Sequence, residues 1–540
     1  MLAKFGEDFA AIGLGWAGRF YAARVAVVER HEPAGIGRAA VLGLVALALV
    51  ARALAVFRGA GLAGDIGYDD GVYFGAAVAF VHGALPYRDV LLLHPPGIIL
   101  LLSPFAAVGA LTTEGTGLAL ARVTFILLGV GNTLLVARLA SNQGRTAGIL
   151  AGVIYAAWHA AAGFERTTLL VPAQSALLLV ALLCLQAGSP NAGRSVSRAR
   201  QVVAGAALGF AMSIQLWAVV PIAVVGSWLA IQATRQAGRL RIPIGYALGA
   251  AGSFAAVILP FLAITGGAMI REVLLDQLGR PNNEVTLVER LRALEGLGQV
   301  HPYLPGLVPL AGAVAAAAGV AWVARQSPGT RIFAVVFVVQ TAVILLTPVS
   351  FPHYSAWPAP VGAVTFGVAG SLLRDRIARP RVARAVLVGY AVLIAVLLVP
   401  DLARAGKPLP IAALARDTVG ARCVAADEPV LLIELSRIGP SIARGCPVMV
   451  DPTGVAYDTD RGLLTPGSVA VTRSRAVNFQ RAMLAYFGAA DAAMFARPSS
   501  IGLSSQSWAA IRCRLSTERQ QEAVLVLLRT VSAVPPTCPN

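Results

Sequence analysis

Charged side chains are scarce in this 540-residue sequence. They make up 13% of it, whereas an average soluble domain has about a quarter. Lysine is nearly missing, because only Lys4 and Lys407 occur, and the 27 acidic residues are outnumbered by 44 basic ones. Hydrophobic residues reach 57% and the mean hydropathy is +0.72. This composition excludes a large soluble enzyme or a disordered chain and predicts a polytopic membrane protein. Abundant arginine with so little lysine is typical of a high-GC bacterium.

Other absences narrow the class further. No GxxxxGK[ST] phosphate loop occurs, so ATP-driven transport has no support, and no cytosolic nucleotide-sugar domain is present. The net charge of +17 is spread over several segments without interleaved aromatics, so a nucleic-acid partner is not expected. Residues 1–37 contain no clean apolar core, so no signal peptide is expected and the first apolar run is interpreted as a retained helix.

Long apolar stretches are what the sequence has in abundance. A membrane-spanning helix needs about 20 mostly apolar residues, within a range of about 17–25. Applied to the chain, this criterion predicts a membrane domain over 38–400 with about 11 transmembrane helices. The apolar stretches are 38–57, 97–111, 118–137, 146–162, 168–187, 201–233, 242–265, 302–324, 331–349, 355–373 and 385–400.

Arginine-bearing loops predict the orientation, because short cytoplasmic loops collect basic residues. The loops concerned are 194–200, 235–241, 325–331 and 374–384. Placing them inside makes 1–37 a cytoplasmic segment, and it makes loop 58–96 and the tail 401–540 extracytoplasmic. We therefore expect a multi-pass protein of the inner (plasma) membrane.

One conflict remains in this topology, since strict alternation places Arg138 to Arg145 outside. It disappears if 97–111 does not fully cross and 201–233 is a hairpin of two short helices. The alternative is that both stretches cross once and the rule is broken locally.

The tail has the composition of a soluble α/β or α+β domain. We expect strands at Val430–Ile433 and Val448–Val450 and an amphipathic helix over Ser516–Arg529. Four of the five cysteines lie here, and an even number outside the cytoplasm favours disulfides. Three pairings are possible, and proximity in sequence favours Cys423–Cys446 with Cys513–Cys538. A zinc site is the competing interpretation, but no CxxC spacing supports it. Cys184, within an apolar stretch, is interpreted as an inert core residue.

Residues 65–97 concentrate polar groups beside the first apolar stretch. Asp69 and Asp70 precede a run, Gly71 to Val81, that we expect to lie on the membrane as an amphipathic helix. Arg88, Asp89 and His94 follow. Such groups are costly near a bilayer unless they are solvated, paired or functional. A polar surface loop is the alternative interpretation. Paired carboxylates favour unequal pKa values, which suits one of them to act as a base.

The order of these motifs resembles the GT-C glycosyltransferase superfamily, most closely its protein O-mannosyltransferase and aminoarabinose-transferase branch. That branch has an Asp-Glu pair after the first membrane helix, an aromatic residue three positions later, and a His/Lys-Pro-Pro motif. This chain has Asp69-Asp70, Tyr73 and His94-Pro95-Pro96. Asp70 stands where the family usually has Glu. Weaker matches are Ala121-Arg122, Glu165-Arg166 and the His353-Tyr354 pair.

The resemblance assigns roles to individual residues. Asp69 is predicted to be the catalytic base, and Asp70 to orient Asp69 or the acceptor. Arginine matches phosphate geometry, so Arg88 and Arg122 are predicted to hold a lipid phosphate, with membrane snorkelling as the alternative. The remaining predicted substrate-binding residues are Asp89, His94, Glu165, His353 and Tyr354; Asp89 could instead simply pair with Arg88.

By that resemblance the chain is an inverting membrane glycosyltransferase. It would move a sugar from a polyprenyl-phosphate donor to an extracytoplasmic acceptor, which is a cell-wall glycan, a lipid or a protein. Membrane lipids are the other expected partners. Some GT-C enzymes use a divalent metal and others do not. Asp69 with Asp70 is a poor metal cage, so no cofactor is assigned, and a divalent metal stays the open alternative. The rival hypothesis is a lipid-linked sugar carrier or flippase, which predicts ionisable residues inside the helices.

Overall fold

The computed structural model describes residues 36–186, 197–234, 241–297, 305–377 and 405–529, with some positions in 381–389 and Cys538. Its first part is helical. Six helices in the described ranges are long and apolar enough to cross a membrane: Arg38–Arg58, Glu114–Gln143, Leu216–Thr234, Pro243–Thr265, Leu307–Gln326 and Pro328–Leu346. This finding agrees with a membrane protein, and the number of about 11 crossings stays a prediction.

Shorter helices complete this part of the chain. The principal ones are Tyr68–Val81, Gly97–Leu111, Arg145–Ala157, Leu170–Gln186, Arg198–Ile214, Leu287–Glu295 and Ala359–Arg376. The stretch 201–233 is thus divided between two helices, with a short turn over Leu216–Ala218. The Gly97–Leu111 helix has 15 residues, fewer than a full crossing needs. The last predicted stretch, 385–400, lies largely outside the described residues.

The helix after the first loop differs from its prediction. It begins at Tyr68 rather than Gly71, so Asp69 and Asp70 lie in its first turn. It does not present an amphipathic surface, because every residue from Asp70 to Ala79 is buried. Small residues such as Gly71 allow close approach: a Cβ there would lie 2.9 Å from the backbone nitrogen of Val430 in the tail. The helix is therefore enclosed between the membrane helices and the C-terminal domain.

The C-terminal domain contains a four-stranded sheet in the order β1-β2-β4-β3. The strands are β1 (Val424–Ala426), β2 (Ala492–Phe495), β3 (Thr517–Gln521) and β4 (Val524–Leu528). β1 and β2 are parallel, and the other pairs are antiparallel. Helices surround the sheet: Ile411–Asp417, Pro429–Glu434, Ile438–Ala443, Val455–Thr459, Val469–Ser474, Val477–Gly488 and Ser505–Arg514.

Three local predictions in the tail were wrong. Val430–Ile433 belongs to a helix, Pro429–Glu434, which proline can open because its first position needs no N–H donor. Val448–Val450 forms no strand. Ser516–Arg529 is the β3–β4 hairpin, in which Glu522 has a φ of 50° at the turn. The run Val524–Leu528 has the continuous apolar character of a strand buried on both faces, a pattern that does not distinguish strand from helix.

Two disulfides tie the tail together. They join Cys423 to Cys446 and Cys513 to Cys538, which confirms the pairing predicted from sequence proximity. Cys184 is a free thiol within the Leu170–Gln186 helix. Each bridge closes a loop of about 25 residues, a length for which loop-closure entropy gives roughly 3 kcal/mol of stabilisation.

The C-terminal domain shares a hydrophobic core with the Tyr68–Val81 helix. One buried cluster includes Val72 and Phe74 of that helix together with Leu431, Ile433 and Val526 of the tail. Polar contacts add to this core. The carboxylate of Glu114 accepts hydrogen bonds from the backbone N–H groups of Ile438 (3.2 Å) and Gly439 (2.7 Å). The C-terminal domain is thus attached both to the Tyr68–Val81 helix and to the start of the Glu114–Gln143 helix.

The disulfide pairing gives a direct test. Denatured but unreduced protein should expose one reactive thiol per chain, Cys184, and reduction should raise the number to five. The double variant Cys423→Ser/Cys446→Ser should lose about 2–5 kcal/mol of tail stability, measured by protease resistance of the tail. Cys184→Ser is the matched control and should resist proteolysis like the wild type. Three reactive thiols in the unreduced wild type would contradict the pairing.

Candidate functional site

Asp70 is fixed by a buried ion pair. Its side chain is fully buried, as is that of Arg122. Arg122 Nε donates to Asp70 Oδ2 at 2.8 Å, and Nη2 donates to the same oxygen. The backbone N–H and the hydroxyl of Thr168 donate to Oδ1 at 2.8 and 2.7 Å. All of these donors satisfy the carboxylate internally, so Asp70 is placed to hold the helix start and its neighbour Asp69.

All three guanidinium nitrogens of Arg122 donate hydrogen bonds within the protein. Its Nη1 donates to the carbonyl oxygens of Leu62 (2.6 Å) and Gly64 (2.9 Å). This side chain therefore anchors the loop before the Tyr68–Val81 helix as well as Asp70. Four of its five N–H groups are thus used within the protein, and Arg122 does not line the cavity described below.

Glu165 is the centre of a second buried cluster. Its Oε2 accepts from Arg52 Nε at 2.9 Å, and its Oε1 accepts from Tyr155 (2.8 Å) and Asn132 (2.7 Å). Glu165 precedes Thr168 by three residues, so this cluster holds the segment that supplies the donors to Asp70. Its position is structural, away from the cavity described next.

A cavity of about 300 Å³ lies between the Tyr68–Val81 helix, the 92–94 and 351–354 segments and the C-terminal domain. Four of the nine predicted site residues line it: Asp69, His94, His353 and Tyr354. Part of its wall is apolar, with side chains such as Val72, Leu92, Leu93, Leu169, Leu170 and Phe351. A partly apolar cavity with a few converging polar groups is the usual form of a ligand-binding site.

Asp69 faces this cavity with its side chain 36% exposed. Its Oδ2 lies 3.7 Å from His353 Nε2. Burial lowers the pKa of His353, against the opposing effect of Asp69. The ring next to Asp69 is therefore neutral at physiological pH, and Asp69 is not neutralised by a charged partner. A carboxylate in this state can accept a proton.

Two further residues of the cavity, His94 and Tyr354, have polar side chains that are uncharged. Burial, with contributions from Arg280 and His353, lowers the pKa of His94 to about 3. Burial raises the pKa of Tyr354 to about 12, although Arg280 opposes that shift. Trp217 fixes the phenol ring edge-on, with the ring centroids 4.5 Å apart. His94 and Tyr354 can therefore offer hydrogen bonds without adding charge.

Arg280 brings positive charge to the cavity. Its guanidinium carbon lies 4.3 Å from the centre of the Tyr457 ring, and its buried Nε has no hydrogen-bond partner among the residues that the structure describes. Burial acts to lower the pKa of Arg280, but Tyr354, Tyr457 and Asp451 outweigh it and the pKa is raised. The group stays cationic and keeps an unused donor, which are the properties of an anion-binding arginine.

Two arginines of the C-terminal domain, Arg473 and Arg497, also line the cavity, but their side chains are already bonded to other groups of the protein. Arg473 donates from Nε to the carbonyl oxygen of Ile501 at 2.9 Å. Arg497 contacts Asp65 at 2.7 Å and Glu428 at 2.8 Å. These contacts connect the C-terminal domain to the first loop and leave Arg280 as the arginine best placed for a ligand.

Arg88 and Asp89 lie outside this cavity. They form an exposed ion pair at 2.7 Å, with 55% and 37% of the side chains accessible. This is the simple pairing considered from the sequence. The structure thus gathers Asp69, His94, His353 and Tyr354 in one place, buries Asp70, Arg122 and Glu165 behind it, and leaves Arg88 and Asp89 at the surface.

Sequence reasoning missed Arg280, Tyr457 and Asp451. Arg280 lies in segment 266–300, which carries several other arginines, so charge alone did not distinguish it. Asp451 and Tyr457 come from the tail, 350 or more residues away from Asp69 along the chain, and no local spacing indicates that contact. The only available signal was the predicted placement of both segments on the same side of the membrane.

A metal site does not emerge from the described part of the chain. In these ranges no three His, Cys, Asp or Glu side chains are grouped so that they could hold a metal ion. Asp69 and His353 supply two donors, fewer than a typical protein metal site requires.

Known proteins resemble this chain in structure but not detectably in sequence. No protein-family model matches the sequence, and no curated protein does. Solved structures do match. ArnT from Cupriavidus metallidurans bound to undecaprenyl phosphate has a TM-score of 0.53 at 15% identity, covering 92% of this chain and 99% of that one. The Archaeoglobus fulgidus oligosaccharyltransferase in complex with zinc and sulfate has a TM-score of 0.53 at 14% identity, covering 84% of this chain and 67% of that one.

Both proteins belong to the GT-C superfamily. The chain described here has the fold of the GT-C membrane glycosyltransferases, and the resemblance found in the sequence is confirmed for the fold. At this identity the likeness concerns architecture.

Because Arg122 is buried in an ion pair with Asp70 whereas Arg88 is exposed, we expect the loss of Arg122 to destabilise the protein far more than the loss of Arg88. Arg122→Met leaves a buried carboxylate without its charge partner, which typically costs about 3–5 kcal/mol. Arg88→Met, at the exposed pair, should leave the unfolding temperature of the detergent-solubilised protein unchanged, since surface pairs contribute little. Thermal unfolding of both variants measures the difference. Equal unfolding temperatures would show that the buried pair is not a structural anchor.

Proposed function

We propose that the protein transfers a sugar from a polyprenyl-phosphate donor to the hydroxyl of an extracytoplasmic acceptor. The observation that carries the proposal is that one partly apolar cavity holds both the accessible carboxylate of Asp69 and the cationic side chain of Arg280, whose Nε has no hydrogen-bond partner among the described residues. The first suits proton removal from an acceptor, and the second suits a departing phosphate. The undecaprenyl phosphate in the ArnT structure supports a donor of this class.

The reaction follows from these two groups. Asp69 accepts the proton of the acceptor hydroxyl as its oxygen attacks the anomeric carbon of the sugar. The bond from that carbon to the phosphate oxygen breaks, and its electron pair leaves on the polyprenyl phosphate. A single displacement of this kind inverts the anomeric centre. Arg280 stabilises the charge on the leaving phosphate, where donors held in place in advance contribute most.

The neighbouring groups position the reactants. Asp70, fixed by Arg122 and Thr168, keeps the first helical turn in place so that Asp69 faces the cavity. His94 and the phenol of Tyr354 offer uncharged hydrogen bonds to the sugar or the phosphate. The apolar wall accommodates the first carbons of the lipid. The acceptor class remains a glycan, a lipid or a protein, and the protein would act at the outer face of the plasma membrane.

Asp69→Asn tests the base. Purified protein in nanodiscs is incubated with radiolabelled undecaprenyl-phosphate-linked mannose, arabinose or an amino sugar and with candidate acceptors. A general base typically contributes 10²–10⁴-fold, so the kcat of the variant should fall by at least about 100-fold. Asp89→Asn, at the exposed pair outside the cavity, is the matched control and should retain wild-type activity. Undiminished transfer by Asp69→Asn would contradict the assignment.

The same preparation distinguishes the rival function. If wild-type protein transfers no sugar from any of these donors but moves the labelled lipid across liposome membranes, the protein is a carrier. The described membrane helices contain few buried ionisable groups, and the main ones, Arg52 and Arg122, are paired internally with Glu165 and Asp70. This arrangement favours the enzyme over a permeation pathway.

Arg280→Gln tests the leaving-group site. Loss of one stabilising donor in an active site typically costs about 10²–10³-fold in kcat, and the KM for the donor should rise as well. Arg280→Lys should recover part of the activity because it restores the charge without the planar fork. Arg88→Gln is the control. Wild-type kinetics in Arg280→Gln, with a raised KM in Arg88→Gln, would move the phosphate site to the surface pair.

A further inference from the structure

We propose that Asp451, a residue of the C-terminal domain, determines substrate specificity by accepting a hydrogen bond from a hydroxyl group of the bound substrate. The proposal rests on the glycosyltransferase function proposed above and adds a contact to it. Asp451 lines the same cavity as Asp69 and Arg280. The hydroxyl belongs either to the donor sugar or to the acceptor, and the two sources are separated by experiment.

The two carboxylate oxygens of Asp451 have different surroundings. Oδ1 accepts from the Tyr68 hydroxyl (2.8 Å), the backbone N–H of Gly454 (2.8 Å) and the Thr453 hydroxyl (3.3 Å). Oδ2 receives no hydrogen bond from any residue that the structure describes. The residue is 9% exposed, and it lines the cavity. One oxygen is held by the protein and the other is available.

The local backbone is shaped around this carboxylate. A Cβ at position 454 would lie 2.0 Å from Asp451 Oδ2, so Gly454 leaves the space that the oxygen occupies. Tyr68, which donates to Oδ1, also accepts from the backbone N–H of Thr453 at 2.9 Å. Tyr68 and Gly454 thus hold the Asp451 carboxylate in place before a ligand binds.

Tyr68, which donates a hydrogen bond to Asp451, directly precedes Asp69 in the sequence. A tyrosine hydroxyl therefore connects the tail carboxylate to the first turn that carries the proposed base. The two carboxylates are close enough that Asp69 raises the pKa of Asp451, after the larger effect of burial.

A hydroxyl is the chemistry that fits the free oxygen. A buried carboxylate accepts hydrogen bonds and donates none, and a polar group left unpaired in a buried site is costly. Sugars and their acceptors present hydroxyl donors. A site built to bind a hydroxyl rejects an analogue that lacks it far more strongly than an apolar site can. Asp451 therefore contributes selection among sugars or acceptors rather than the chemical step.

Asp451→Asn tests the role of Oδ2 separately from that of Oδ1. The amide oxygen can keep the bonds from Tyr68 and Gly454, while the amino group replaces the acceptor that faces the cavity. With the donor on which wild-type protein is most active, kcat/KM should fall about 10- to 100-fold, the usual loss for a hydrogen bond to a charged group, and the unfolding temperature should stay unchanged. Glu518→Gln, at an exposed pair of the tail, is the matched control and should behave as wild type.

Deoxy analogues identify the hydroxyl. Donors and acceptors that each lack one hydroxyl are assayed with wild type and with Asp451→Asn. One analogue should be poor with wild type, and its penalty should disappear in the variant; whether it is a donor or an acceptor assigns the source. If Asp451→Asn does not fold, Asp451→Glu, which keeps the charge but moves the carboxylate, should lose the same penalty.

Three outcomes overturn the proposal. Wild-type kinetics in Asp451→Asn, or identical analogue penalties in wild type and variant, would make Asp451 purely structural while leaving the glycosyltransferase function intact. If wild-type protein transfers no sugar from any donor, the proposed function fails and the specificity role fails with it. Tyr68→Phe gives the contrasting readout: it weakens the support of Oδ1 and should lower activity while keeping the analogue penalty.

Discussion

The burial of the Asp70 carboxylate against Arg122 and Thr168 is the interaction on which the rest of the site depends. A buried charge is unfavourable unless it is paired and fully hydrogen-bonded, and here four donors meet two oxygens. Because Asp70 is fixed, the adjacent Asp69 can turn toward the cavity. The cluster around Glu165 extends the same principle by holding the segment that contains Thr168.

The cavity is lined by residues from both the helical part of the chain and the tail. The membrane-side segments supply Asp69, His94 and the 353–354 pair, while Arg280 comes from the loop after a long helix and Asp451 from the tail. The shared hydrophobic core and the Tyr68–Asp451 hydrogen bond hold the tail in place against the Tyr68–Val81 helix. Acidic and basic groups can thus face one cavity without neutralising each other, an arrangement that suits a reaction needing both a base and a stabilised leaving group.

Sequence alone was sufficient for the membrane class, the GT-C fold and both disulfides, since each leaves a local or compositional signal, while the role of Asp69 stays a prediction. It misplaced the hairpin at 517–528, because a continuous apolar run does not distinguish strand from helix. It also treated Arg122 like Arg88, although one is enclosed and the other exposed, since only tertiary contacts decide which arginine is free. Arg280 and Asp451 were missed for the same reason.

The most direct test is a cryo-electron microscopy structure of the protein in nanodiscs with undecaprenyl phosphate. The predicted result is a phosphate within hydrogen-bonding distance of the Arg280 guanidinium, in the cavity that Asp69 faces, with the first lipid carbons against the apolar wall formed by residues such as Leu92 and Leu169. A phosphate bound at Arg88 or elsewhere on the surface, with the cavity unoccupied at saturating lipid, would contradict the assignment of this cavity as the site of transfer.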